Sequence, residues 1–412
     1  MLFRSALPQN WAMTQNNLGN ALQNQANRTQ GEAGTALLGL AVSAIQEALT
    51  VRTKQALPQE WAVTQNNLGN ALSDQAYRTQ GEAGSALIAL AVSAFRDSLT
   101  VYTKQALPQH WAMTQNNLGL ALRDQASRTQ GEAGSALLAL AVSAFRDSLT
   151  VYTKQALPQD WAATQNNLGI ALRDQASRLP ADHPGRKDLL IQAIDAYRAA
   201  LTIHTQAVFP IDWARVQKNL AQACVLLPDD RCAADGFAAV LQIFPDWKEG
   251  YTEAYVRYHE KLFLFAQAHA LSEQWLARHP DDLYAGTSFV ESHLTTGRWA
   301  ALPGQLAKVL SKLPPAVQVP LLAIELSALT VQNQAQKAAE TRKALHQLVS
   351  AQPAEFRISW MVAGTRHYLQ TEPRFAPHKQ KLLLLLSALE QPSRDAILAA
   401  LDACCMDSAT SP

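Results

Sequence analysis

The chain has 412 residues, enough for two or three ordinary domains or one long repeat array, and its 48% apolar content excludes an intrinsically disordered polymer. With 35 Lys+Arg against 34 Asp+Glu it lacks the basic excess of a phosphate-gripping protein, so no nucleic-acid partner is expected. The longest apolar run, Leu382 to Leu386, is far below a membrane span, so no membrane partner is expected either.

Met1-Leu2-Phe3-Arg4 leads straight into repeat sequence without a signal peptide, and the expected location is cytoplasmic. The string Leu-Pro-Gln-x-Trp-Ala-x-Thr-Gln-Asn-Asn-Leu-Gly then starts at Leu7, Leu57, Leu107 and Leu157, a period of 50. A worn fifth copy starts at Phe209. Units 56–105 and 106–155 differ at six positions, which implies one shared structure for all copies.

Each unit reads as two helices. Helix A begins near Pro8, since proline suits a first helical turn, and Trp11, Leu18, Ala21, Leu22 and Ala26 fall at helical spacing up to about Arg28. Thr29-Gln30-Gly31-Glu32 has the form of a capping box, repeated at Thr79 and Thr129. Helix B follows, with Ala33, Leu37, Leu40, Ala41, Ala44, Ile45, Ala48 and Leu49 on one broad apolar stripe. Helices of this size run about 30 Å, and the short connections force antiparallel hairpins that must stack to bury both faces. In the fourth unit a proline-rich loop, 179–185, replaces the capping box, and helix B is expected to resume at about Asp188.

Three stretches follow: four full units and a partial fifth over 1–225, shorter degenerate repeats over 226–352, and a helical cap with a short tail over 353–412. Phe265–Pro280 reads as a helix B with its closing proline, and Gly297 and Pro314 fall in phase with a 34-residue unit. Leu382–Leu389 and Ile397–Leu401 are the apolar segments available to a terminal cap.

These residues resemble the tetratricopeptide family. The family pairs a Leu-Gly step in helix A, here Leu18-Gly19, with a small–large–small set in helix B. That set is Ala41, Ile45, Ala48, then Ala91, Phe95, Ser98, then Ala141, Phe145, Ser148, then Ala193, Tyr197, Ala200. Small residues let helices approach and the larger one fills the gap. The unit is longer than the family's usual 34 residues, and Gln15 stands where the family places its helix-A tryptophan; the Asn-Asn-Leu-Gly unit looks more like the kinesin-light-chain type. The resemblance implies an all-α solenoid of helix hairpins that binds a protein or peptide in its concave groove. Bacterial arrays of that kind are often attached to signalling or effector enzymes.

The repeat also carries two columns of amides. The first is Asn16, Asn66, Asn116 and Asn166; the second is Asn17, Asn67, Asn117, Asn167 and Asn219, with Lys218 in the first column of the fifth copy. An asparagine amide offers one acceptor and two donors, which suits a peptide backbone. The resemblance implies that the second column lines a peptide groove. The same amides also read as bonds between neighbouring helices that set the repeat register. Arg123 and Arg173 could add carboxylate contacts, but Asp124 and Asp174 follow them and favour a surface charge pair. Trp11, Trp61, Trp111, Trp161 and Trp213 share the phase of Leu18 and read as core packing rather than a binding stripe.

No phosphate loop, dinucleotide fingerprint, His-Glu-x-x-His or nucleophile elbow occurs, and His259-Glu260 stands as a lone dipeptide. The expected protein is therefore no enzyme and needs no cofactor or metal. Cys224, Cys232, Cys404 and Cys405 do not form a Cys-x-x-Cys pair and read as reduced thiols. Two alternatives stand beside the interaction scaffold. Ser5-Ala6-Leu7-Pro8 resembles the end of a preceding unit, as in the sensor region of a larger bacterial enzyme. Near-identical units with an uncapped first hairpin could also self-associate through the solenoid ends.

Overall fold

The computed structural model describes residues 6–358 and 360–403; the Cys404–Cys405 pair and the expected tail lie outside them. The chain divides into two compact units, Met1–Leu227 and Pro228–Pro412. Among the described residues there are 19 α-helices and no strand.

The first unit is a row of hairpins: α1 (Pro8–Asn27) with α2 (Gly31–Leu49), α3 (Pro58–Arg78) with α4 (Gly81–Leu99), α5 (Pro108–Ser127) with α6 (Gly131–Leu149), and α7 (Pro158–Ser177) with α8 (Pro184–Leu201). Helix α9 (Pro210–Leu226) is the helix A of the fifth copy. Proline occupies the first turn of α1, α3, α5, α7 and α9, where its missing N–H would have no intrahelical acceptor.

The Leu-Gly step is what lets each hairpin close. A Cβ on Gly69 would lie 2.6 Å from Phe95 Cε1, and one on Gly119 would lie 2.7 Å from Phe145 Cε1. Both phenylalanines are fully buried, and Ile45 and Tyr197 hold the same place in the first and fourth hairpins. Helix packing at this distance needs a hydrogen where other residues carry a side chain.

Two expectations about the inner turns are corrected. The capping box does not form: α2, α4 and α6 start after Gln30, Gln80 and Gln130 with no side-chain cap. Gly31, Gly81 and Gly131 take positive φ, which redirects the chain, and the Thr29 hydroxyl turns back to donate to Gln25 O at 2.9 Å. In the fourth hairpin helix B begins at Pro184, not Asp188, because Pro184 pre-sets the first turn and His183 Nδ1 accepts from Gly185 N at 3.1 Å.

A repeated arginine ties one repeat to the next. Arg78 donates to Thr29 O at 2.8 Å and Ala26 O at 2.7 Å, and Arg128 donates to Thr79 O at 3.2 Å and Ala76 O at 2.7 Å. Arg178 reaches Thr129 O at 3.1 Å and also Ala126 O. Each arginine thus satisfies the orphan carbonyls at the C-terminus of the preceding helix A, where a cation is favoured. Room for the guanidinium comes from Gly34, Gly84 and Gly134, whose Cβ would strike it. The fifth copy has Asp230 at the corresponding place, and the fourth has Arg186 where its forerunners have that glycine. Arg186 Nη1 donates to Leu179 O at 3.0 Å, so the same turn is held from within its own hairpin.

The second unit comprises α10 (Asp230–Leu241), α11 (Lys248–Val256), a π-helical turn (Arg257–Lys261), α12 (Phe265–Arg278), α13 (Leu283–Thr295), α14 (Leu302–Val309), α15 (Pro315–Val331), α16 (Ala335–Ser350), α17 (Ala363–Thr371), α18 (Lys379–Leu389) and α19 (Arg394–Ala403). The segments expected to form a cap belong to its core: Leu382, Leu385, Leu386, Leu389, Ile397 and Leu401 are buried with Leu294, Leu306 and Leu322. Cys224 and Cys232 are disulfide-bonded rather than reduced. No helix among the described residues is long and apolar enough to cross a membrane.

Candidate functional site

The two asparagine columns are joined to each other across the repeats. Asn67 Nδ2 donates to Asn16 Oδ1 at 3.0 Å, Asn117 Nδ2 to Asn66 Oδ1 at 3.3 Å, Asn167 Nδ2 to Asn116 Oδ1 at 3.1 Å, and Asn219 Nδ2 to Asn166 Oδ1 at 3.0 Å. Thr114 and Thr164 hydroxyls reach the same Asn66 and Asn116 acceptors at 3.3 and 3.4 Å. The first column is the inner one: Asn16, Asn66 and Asn166 are at most 5% exposed, and Asn116 is half-buried. The second column lies further out, with Asn67, Asn117, Asn167 and Asn219 half-buried and Asn17 exposed. Lys218, in the first-column place of the fifth copy, is exposed.

This geometry divides the labour. Each first-column carbonyl oxygen is occupied by the next repeat. Asn67, Asn117, Asn167 and Asn219 each spend one N–H on that bond and keep their own carbonyl and second N–H, whereas Asn17 Oδ1 accepts from Asn16 Nδ2 at 3.5 Å. A series of such amides recurs once per repeat on successive A helices.

The surroundings of the columns are polar but largely self-paired. Arg123 and Arg173 each meet the following aspartate at 2.9 Å, as the charge-pair reading expected, and Arg173 Nη1 also donates to Gln222 Oε1 at 2.8 Å. The tryptophans are half-buried rather than core residues. The ammonium of Lys54 sits 5.6 Å from the Trp61 ring centre, and Lys104 and Lys154 sit 5.8 Å from Trp111 and Trp161. The rings of Trp61, Trp111 and Trp161 thus each meet a cation.

The second unit holds a cluster that the sequence does not signal. His259 and Glu260 lie on the π-helical turn and meet Glu291 of α13; all three are buried. His259 Nδ1 is 2.8 Å from Glu260 Oε1 and 4.0 Å from Glu291 Oε2. Leu262 N bonds to Arg257 O at 2.9 Å, which closes the wide turn and lets two consecutive side chains point inward. Phe263, at φ 54°, ends it in the left-handed region. Gly364 closes over the imidazole: a Cβ there would lie 2.4 Å from His259 Nδ1. The Tyr255 ring stacks on His259 with centroids 5.3 Å apart.

The electrostatics follow from burial. Desolvation pushes the Glu291 carboxyl up to about 7, against the pull of His259. Desolvation disfavours a charged His259, but the Glu291 and Glu260 carboxylates outweigh it and raise the imidazole above its ordinary value. The Trp360 indole leans towards Glu291 without closing a hydrogen bond. A pocket of about 370 Å³ opens beside the cluster, walled by Tyr255, Glu260, Tyr284, Glu291, Trp360 and Met361. His259-Glu260 is therefore not a lone dipeptide. Its third member lies 31 residues on, with no fixed-spacing motif to announce it.

Neither a family model nor a curated protein matches the sequence. Among solved structures, the chain is similar to a tetratricopeptide repeat protein from Parabacteroides merdae ATCC 43184, at 13% identity over 68% of this chain and 93% of that one, with a TM-score of 0.34. It is also similar to the TPR domain of P58(IPK), at 13% identity over 90% and 98%, TM-score 0.24, and to yeast Tom70, at 13% identity over 94% and 94%, TM-score 0.26. The fold class rests on this chain's own hairpins: a Leu-Gly step closed under a bulky helix-B residue, repeated four times, makes it a tetratricopeptide-like all-α repeat.

Proposed function

We propose that the first unit is a non-catalytic scaffold that holds an extended segment of a partner protein along its A helices. The observation that supports this is the outer asparagine column. Asn67, Asn117, Asn167 and Asn219 are pre-oriented by bonds to the preceding repeat and keep a free carbonyl and N–H each. Such amides match the alternating donors and acceptors of a peptide backbone, and their positions are fixed before binding, which lowers the entropic cost. Asn16, Asn66, Asn116 and Asn166 then serve as the positioning layer beneath them.

The test is a displayed library of random extended peptides panned against the full chain. Peptides that bind should lose affinity by about tenfold or more with Asn67→Ala/Asn117→Ala, the worth of one to two backbone hydrogen bonds. Enriched peptides that bind the double variant equally well would remove the column from the binding surface.

A second reading, self-association through the first hairpin, is favoured by one contrast. Leu18 is 45% exposed, whereas Leu68, Leu118 and Leu168 at the same place in later repeats are at most 9% exposed. The face of α1 is the one that each later helix A turns to a preceding repeat. Light scattering over a concentration series separates the readings: mass that rises with concentration and is lost in Leu18→Asp supports self-association, and a constant monomer mass excludes it.

A further inference from the structure

We propose that His259, Glu260 and Glu291 bind one divalent transition-metal ion of the zinc type, with its fourth position open to the adjoining pocket. Each of the three side chains has its outer atom fixed by the protein. Thr365 Oγ1 donates to Glu291 Oε1 at 2.6 Å, and Gly364 N donates to Glu260 Oε2 at 2.8 Å. His259 Nε2 meets Thr295 Oγ1 at 3.2 Å. The Thr295 hydroxyl points its own hydrogen at the carbonyls of Glu291 and Ser292, at 3.4 and 3.5 Å, so it accepts from Nε2–H.

That assignment leaves the Nδ1 lone pair facing inward. It converges with Glu260 Oε1 and Glu291 Oε2, and the three atoms lie within 4.8 Å of one another. With the ring neutral, three acceptors point at one another and call for a positive centre between them; a metal ion supplies it, and without one an Nδ1–H donating to Glu260 Oε1 at 2.8 Å takes its place. The side chains are 0%, 4% and 2% exposed, so water cannot supply the compensation. A neutral imidazole with two carboxylates carries charge −2, which one divalent cation cancels.

The spacing is right for such an ion. Four-coordinate zinc with bonds of about 2.0–2.2 Å holds its ligand atoms roughly 3.3–3.6 Å apart. The observed separations of 2.8 and 4.0 Å bracket that range, and the third lies within 4.8 Å, so side-chain adjustment closes the set around one ion. An imidazole nitrogen in the set disfavours calcium and magnesium, which take oxygen ligands. The fixed outer atoms are the arrangement that orients metal ligands elsewhere. Three protein ligands leave one site free, and Glu260 and Glu291 both line the pocket of about 370 Å³.

The experiment uses the full chain stripped with a chelator. Calorimetric titration with zinc chloride should give one ion per chain, and cobalt(II) should develop the absorption of a tetrahedral or five-coordinate site. Glu291→Gln keeps the shape and the Thr365 bond but removes a ligand charge. It should weaken zinc by more than about 100-fold, since even an outer partner is worth about 10–100-fold. Circular dichroism in chelator checks that the variant is folded. If it is not, X-ray absorption of the zinc-loaded native chain decides: a shell of nitrogen and oxygen alone supports the site. A sulfur ligand, no stoichiometric uptake, or equal affinity in Glu291→Gln overturns it and leaves the cluster as a protonated hydrogen-bond network.

Discussion

Replacing Asn66 by alanine tests which asparagine column carries the fold. Asn66 is 3% exposed and accepts from Asn117 Nδ2 and Thr114 Oγ1, both at 3.3 Å. The two donors fare differently once the acceptor is gone. The Thr114 hydroxyl keeps His110 O at 2.8 Å, and the half-buried Asn117 amide can turn to water. The loss is therefore the net worth of one to two neutral hydrogen bonds and a small void, about 1–2 kcal/mol. For a unit of this size that corresponds to a fall in Tm of about 2–8 °C. Asn117→Ala leaves Asn66 Oδ1 with Thr114 and should cost less, about 0.5–1 kcal/mol. Urea unfolding followed by circular dichroism measures both, with an unchanged m-value as the check that only the native state is affected. An Asn66→Ala chain as stable as wild type, or an Asn117→Ala chain that is the less stable of the two, would refute the inner-column assignment.

Other predictions concern the repeat joints and the second unit. Arg128→Ala removes two charge-assisted bonds to Thr79 O and Ala76 O and should cost about 2–4 kcal/mol in urea unfolding, with Arg128→Lys recovering only part because one ammonium cannot reproduce the fork. Arg186→Ala should speed amide exchange over 179–185 without touching the earlier turns, because Arg186 alone supplies the side-chain bond to Leu179 O. Gly119→Ala, which drives a methyl to 2.7 Å from Phe145, should destabilise by about 1–3 kcal/mol in thermal melts. Burial, with Arg298 and His293 nearby, depresses His269 to about 4, and the neutral ring is held by Ser292 Oγ at 2.8 Å and Arg298 Nη1 at 2.6 Å. A depressed folded pKa gives stability that is present above the unfolded value of about 6.5 and is lost as pH falls towards 4. Melts at pH 7 and 4.5 should show a smaller acid-induced drop in His269→Gln than in wild type.

The sequence alone determined the hairpins of the first unit. Leu-Pro starts each helix A, an apolar stripe marks each helix B, and Leu18-Gly19 with Ile45 states which faces meet; all of these are local or exactly periodic signals that one dimension can hold. Its errors were also local. The Thr29–Glu32 pattern suits a cap, but a left-handed Gly31 changes the turn, and the half-burial of Trp61 under Lys54 depends on how a loop folds over it. Relations between repeats needed the tertiary structure. The sequence left the amides open between a peptide groove and bonds that set the repeat register; which column bonds to the next repeat, as Asn66 does to Asn117, and that Arg128 reaches back to Ala76, only the packing of successive repeats decides. The second unit was the least legible part, because its contacts obey no period. His259 and Glu260 meet Glu291 only because a π turn, Gly364 and α13 converge, and a buried cluster assembled from distant segments has no signature along the chain.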